Sequence, residues 1–138
     1  MKLKARPLLL FGLLLLVSGS NLSANQKSQR RPVPKGFSYP EASQTVEIDA
    51  SAKSLSGVVQ SPGGDGLPDA LIERVDSDWK HRLDATFTDS EGRFAFSNSP
   101  NGKYYLKISK ADFSTLRVKV SLKKRAKSRL ELVLPLGI

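Results

Sequence analysis

The sequence contains no cysteine and one histidine, and these two shortages exclude a good deal of chemistry. Without cysteine there is no disulfide scaffold and no thiolate metal site. With His81 alone there is no His-x-x-x-His pair and no multi-histidine cage for zinc or iron. No Gly-x-Ser-x-Gly nucleophile elbow occurs. Long apolar runs are also missing beyond the first twenty residues, and after them no stretch repeats with helical spacing. What remains is a chain of 138 residues, 39% hydrophobic and 25% charged, with 10 glycines and 8 prolines falling between short apolar runs. That composition is globular, and its punctuation is that of an all-β chain.

The start of the chain has the three parts of an export signal. Lys2, Lys4 and Arg6 precede the apolar run 8–17, and small and polar residues fill 18–24. A positive start, a short apolar helix and a small-residue exit form the secretory pattern. The run is short for a bilayer span, so an uncleaved anchor is the less favoured alternative. Residues 1–24 are therefore expected to be a signal peptide, cut after Ala24 or, because Leu22 is large for the position it would occupy, after Gly19. The expected location is secreted, periplasmic or cell envelope. Loss of the leader removes three positive charges from a formal +9 and leaves a basic mature chain.

Residues 25–44, with Arg30, Arg31, Pro32, Pro34 and Pro40, show no apolar period and are expected to form a disordered basic, proline-containing linker. Phe37 and Tyr39 are its only aromatics. From Thr45 the apolar period becomes two. Val46 and Ile48, then Leu55, Gly57 and Val59, mark the first alternations. Leu83, Ala85 and Phe87 are assigned to one inward face, and Phe94 and Phe96 to another. Tyr104, Leu106 and Ile108 alternate with Lys103, Tyr105 and Lys107. Leu116, Val118 and Val120 follow, then Leu130, Leu132 and Leu134. Such in–out alternation belongs to antiparallel strands with one solvated face. The fold class expected is an all-β, Greek-key antiparallel β-sandwich of about seven strands over residues 45–138. One segment breaks the pattern. With Ala70 and Ile72 inward, strict alternation buries Arg74. Either a β-bulge resets the register or the inner face is open there, and the bulge is favoured because burying an unpaired arginine is costly.

Four stretches carry a resemblance: Leu55-Ser56-Gly57-Val58-Val59, Gly66-Leu67-Pro68-Asp69-Ala70-Leu71-Ile72, Thr88-Asp89-Ser90-Glu91-Gly92-Arg93-Phe94 and Gly102-Lys103-Tyr104-Tyr105-Leu106. In this order they resemble the carboxypeptidase regulatory-like domain, one of the transthyretin-like sandwiches, over about residues 54–135. The resemblance implies a sandwich with an accessory or binding role, since such domains accompany metallocarboxypeptidases, precede outer-membrane transporters or stand alone in exported proteins. A histidine-based hydrolase or a ring-cleaving dioxygenase on a related sandwich would need more histidines than this chain has.

No catalytic residue, cofactor or metal site is assigned from sequence, and the chain is expected to be non-enzymatic. Asp89 is read as closing its own turn rather than binding calcium, because a lone Asp-x-Glu supplies too few oxygens. Two binding candidates remain. Lys123, Lys124, Arg125 and Lys127 crowd the final turn, with Arg117, Lys119 and Arg129 near in sequence; such a cluster attracts anions. Trp79 and Tyr105 are candidate carbohydrate-stacking rings. The expected role is an exported binding or accessory module for an anionic envelope polymer, lipid head groups or another exported protein. Nucleic acid does not suit the exported address, and once the signal is removed no membrane-integral segment is expected. The alternatives are a carbohydrate-binding module and a domain that only braces another exported protein.

Overall fold

The computed structural model describes residues 31–137. The expected signal peptide and residues 25–30 of the expected linker lie outside the described residues. No helix occurs among the described residues, and eight strands do: β1 (Thr45–Ala52), β2 (Ser56–Gln60), β3 (Leu71–Val75), β4 (Arg82–Phe87), β5 (Arg93–Ala95), β6 (Gly102–Ser109), β7 (Thr115–Leu122) and β8 (Leu130–Val133). They form a five-stranded sheet of order β1-β7-β6-β3-β4 and a three-stranded sheet of order β5-β2-β8. The all-β sandwich is as expected. It holds eight strands rather than about seven, and its sheets are mixed, because β1 runs parallel to β7 and β2 parallel to β8.

The alternations of the late strands place the core. Leu106 and Ile108 of β6, and Leu116, Val118 and Val120 of β7, meet Val59, Phe94, Leu130 and Leu132 of the smaller sheet, all essentially buried. Burial of this kind supplies the stability that a chain without disulfides needs. The small sheet covers only part of the large one. At the uncovered edge, Val46 and Ile48 of β1 remain 37% exposed although they share the inward side.

The face assignment of β4 is corrected. Leu83, Ala85 and Phe87 do not face the core: Ala85 pairs with Glu73 and Phe87 with Leu71 on the outer side. Thr86 is paired with Ile72 and lies on the core side, and Leu83 is exposed. The register between β3 and β4 shifts between Arg74 and Val75, leaving Leu83 of β4 without a partner. The irregularity expected near Arg74 therefore exists, with the extra residue on the neighbouring strand. Against β6, β3 keeps strict alternation: Arg74 pairs with Leu106 on the inner side, half-buried, and Val75 pairs with Tyr105 on the outer side.

The outward row of β4 is tolerated because part of the expected linker covers it. Phe37 packs edge-on against Phe87, with ring centroids 5.4 Å apart, and against Tyr39 at 5.2 Å. The Tyr39 hydroxyl donates to the Asp69 carbonyl at 2.6 Å, and the Arg31 guanidinium lies over the Phe87 ring while donating to Asp69 and to the Thr88 carbonyl. Arg82 donates to the Phe37 carbonyl. Residues 31–39 are thus docked, against the expectation of disorder. Composition is a poor guide here because the few aromatic residues of the segment find a complementary ring on the sheet.

The turn between β4 and β5 ties the two sheets together. The Thr88 hydroxyl donates to the Leu67 carbonyl at 2.6 Å and accepts from the Ala70 amide at 2.8 Å. Asp89 accepts from the Glu91 and Arg93 amides, closing the turn as expected, and Gly92 takes a φ of +82°. A Cβ on Gly66 would collide with the Glu91 carbonyl, so only glycine allows the two loops to touch.

Leu106→Asp should leave the chain unfolded by circular dichroism. An unpaired buried carboxylate costs several kcal/mol, against a total stability of about 5–15 kcal/mol for a small domain. Lys103→Asp, on the solvated end of the same strand, should shift stability by about 0.5 kcal/mol or less. Thr88→Val keeps the shape but strands a buried amide and a buried carbonyl, and should cost about 1–3 kcal/mol in urea titration. An unchanged midpoint would show that the hydroxyl bonds contribute nothing.

Candidate functional site

The connection from β7 to β8 is where the basic residues gather. Leu122 and Leu130 are buried strand ends, and Lys123, Lys124, Arg125, Lys127 and Arg129 between them are exposed. The loop is fixed from beneath by the end of β1. The Lys123 amide donates to the Ala52 carbonyl at 2.9 Å, and the Lys53 amide donates to the Lys127 carbonyl at 2.7 Å. The Ser54 hydroxyl donates to the Ser128 carbonyl at 3.1 Å. These bonds bring Lys53 into the cluster, a cation that sequence reasoning missed. No local signal marks it, because its place follows from the parallel pairing of Ala52 with Leu122. None of these six cations makes an ion pair among the described residues. Lys119 and Arg117 do not belong to the cluster: both lie on the outer face of the large sheet, where Lys119 pairs with Glu47 at 3.3 Å.

Trp79 and Tyr105, far apart in sequence, are brought together. Their rings meet edge to face with centroids 5.4 Å apart and planes at 84°. The Arg117 guanidinium lies over the Trp79 ring at 5.1 Å. Planes at right angles do not form a flat stacking platform, and the cation already occupies one indole face. Trp79 is half-buried, in a turn where its φ is +68° and its amide donates to the Asp76 carbonyl.

The same turn gathers Asp76, Asp78 and His81, whose ligand-type atoms lie within 4.8 Å of one another. Among the described residues these are the side chains that could hold a cation, a grouping that the sequence reading did not anticipate. They are engaged with each other and with the backbone. His81 Nδ1 is 2.7 Å from Asp76, and the Lys80 and His81 amides donate to the same Asp76 carboxylate. Hydrogen bonding with the Asp78 side chain, and then with His81 and the backbone, holds the Asp76 carboxyl well below the usual range. The bond to Asp76 and its charge raise His81 above its ordinary 6.5. A raised histidine pKa stabilises the folded turn through the protonated form. That contribution is complete below the free value of about 6.5 and fades as pH rises through the raised value. In an NMR titration the His81 ring should therefore show a midpoint above 6.5 that falls back in Asp76→Asn; a midpoint at or below 6.5 would show that the pair does not form in solution.

Among curated proteins, none matches the chain. Among solved structures, it is similar to a catechol 1,2-dioxygenase of an Acinetobacter species inhibited by bound mercury, with 11% identity, 89% of this chain and 69% of that chain covered, and a TM-score of 0.41. It is also similar to the 3-chlorocatechol 1,2-dioxygenase of Rhodococcus opacus, with 16% identity, 74% and 61% covered, and a TM-score of 0.36. The expectation of a non-enzymatic chain is corrected by these neighbours, which are enzymes. At such identities and scores they assign this chain no reaction. The family model of the carboxypeptidase regulatory-like domain matches residues 54–135, from the loop after β1 to just beyond β8. The four motif stretches within that span build the β2 strand, the Gly66–Ala70 connection, the Thr88–Phe94 turn and the β6 strand, and on this ground the chain belongs to the carboxypeptidase regulatory-like domain family.

Proposed function

We propose that this chain is an exported binding module that engages an anionic partner at the cell envelope through the turn between β7 and β8. The observation that carries the reading is the cluster of Lys53, Lys123, Lys124, Arg125, Lys127 and Arg129, exposed and without an ion pair among the described residues. Like charges held this close repel one another, and that repulsion is relieved when a negative surface neutralises them. The loop is anchored by backbone hydrogen bonds to the end of β1, so its cations are presented on a fixed frame. Export supplies the setting: the leader of residues 1–24 places the module where acidic polymers and lipid head groups are found. The aromatic alternative is weaker, because Trp79 and Tyr105 pack edge to face against each other and Arg117 covers the Trp79 ring.

Contacts of this type are screened as salt rises, with a Debye length of about 10 Å at 0.1 M. The mature chain should co-sediment with vesicles containing anionic phospholipid at low ionic strength, and release as salt approaches physiological levels. Replacing Lys123, Lys124, Arg125 and Lys127 together by serine should abolish binding at unchanged melting temperature. If the quadruple variant binds as well as the parent, the turn is only a solvated connection and the reading fails.

A further inference from the structure

The outer face of the large sheet carries a second concentration of charge, remote from the β7–β8 turn. One row of the register runs Glu47, Arg117, Lys107, Glu73 across β1, β7, β6 and β3. Register alone would give each cation an acid beside it. The side chains are arranged otherwise. Glu47 pairs with Lys119 at 3.3 Å, and Glu73 accepts from Arg82 at 2.9 Å. Arg117 and Lys107 are left directly opposite each other, with no carboxylate at ion-pair distance among the described residues. Like charges in this cross-strand relation destabilise a sheet. The Arg117 Nε is in addition buried without a hydrogen-bond partner.

Both cations line a cleft of about 480 Å³, within the size range of about 300–1,000 Å³ typical of small-ligand sites. Its lining includes the docked segment at Ser38 and Tyr39, the hydroxyl residues Ser109 and Thr115, and Glu73, whose carboxylate is already held by Arg82. Glu41, exposed and in no ion pair among the described residues, stands at the rim. The chemistry is uneven in a useful way. The Arg117 guanidinium lies with one face on the Trp79 ring, and its in-plane donors, unpaired among the described residues, offer a planar pair to a carboxylate that the Lys107 ammonium of the same cleft can share. Hydroxyls and one free carboxylate around them suit a ligand that is itself rich in hydroxyls.

We propose that this cleft binds a sugar acid, with the carboxylate between Lys107 and Arg117 and the ring hydroxyls at Ser109, Thr115 and Glu41. Neutralising the two opposed cations is the source of affinity, and the hydroxyl lining is the source of selectivity over a bare anion. The site lies toward the opposite end of β7 from the basic turn, and the two are separable by mutation.

The test is titration of the mature chain with glucuronic acid and short glucuronate oligomers, with glucose oligomers and acetate in parallel, followed by amide and side-chain NMR shifts. Glucuronate is expected to shift Lys107, Ser109, Thr115 and Arg117 saturably, at concentrations at least tenfold below those at which acetate or the glucose oligomers act. Lys107→Gln with Arg117→Gln should lose at least tenfold in affinity. The quadruple serine variant of the β7–β8 turn should bind as the parent does, which separates this site from the one proposed above. Three results would overturn the proposal: shifts confined to residues 123–129, equal binding of glucose oligomers, or equal binding of acetate. Should the double variant fail to fold, the shift map of the unaltered chain decides alone.

Discussion

The Thr88 hydroxyl bonds the exit of β4 to the connection that leads into β3, at a point where backbone hydrogen bonds already converge. It donates to Leu67 and accepts from Ala70, while the Thr88 amide donates to the Ala70 carbonyl at 2.9 Å. Around this node the Leu67 amide donates to the Val59 carbonyl, and the Val59 amide donates to the Gly92 carbonyl, both near 2.9 Å. The smaller sheet, the entry to β3 and the exit from β4 are thereby joined in one buried hydrogen-bond network. Such networks are costly when incomplete and specifying when complete. Gly66 and Gly92 stand where a Cβ would push the backbones apart. The node is thus built from the stretches Gly66–Ile72 and Thr88–Phe94 that carry the family resemblance, a physical reason for them to mark the fold more strongly than any activity.

How much was readable in the sequence varies from strand to strand. In β6, β7 and β8 the two faces differ sharply in polarity, one apolar and the other carrying lysine, arginine or glutamate, and a period of two then fixes the inward side. In β4 both faces are mixed. Thr86 and Thr88 can be buried because hydrogen bonds satisfy them, and Phe87 can face outward because Phe37 covers it. No periodicity argument sees either compensation, since each depends on residues distant in sequence. The parallel pairings were equally hidden: alternation tells a face, not a neighbour or a direction.

The same division applies to the sites. The β7–β8 turn was legible because its cations are consecutive and lie between two clear strands. Lys53 was not, because it enters through the end of β1. The opposed Lys107 and Arg117 read in sequence as ordinary outward residues of two strands. Only the register sets them face to face, and only the diversion of Glu47 to Lys119 and of Glu73 to Arg82 leaves them without acids. Trp79 and Tyr105 illustrate the converse: both were singled out as rings, and the structure does unite them, in an arrangement that favours packing over stacking on a sugar.

The parallel pairing of β1 with β7 has a consequence for how the chain reaches its native form. Each residue of β1 pairs with the one seventy positions further on, and β2 is joined with similar reach to β8. Both sheets therefore wait for the last third of the polypeptide before either can be completed. Closing such long loops before any contact rewards them slows folding relative to hairpin-built sheets. A chain threaded across a membrane from its N-terminal end would present β1 and β2 well before their partners arrive. In such a passage the early strands would stay unpaired through that interval, and the charged Glu47 and Asp49 along the first of them would keep its exposed edge from pairing with another chain.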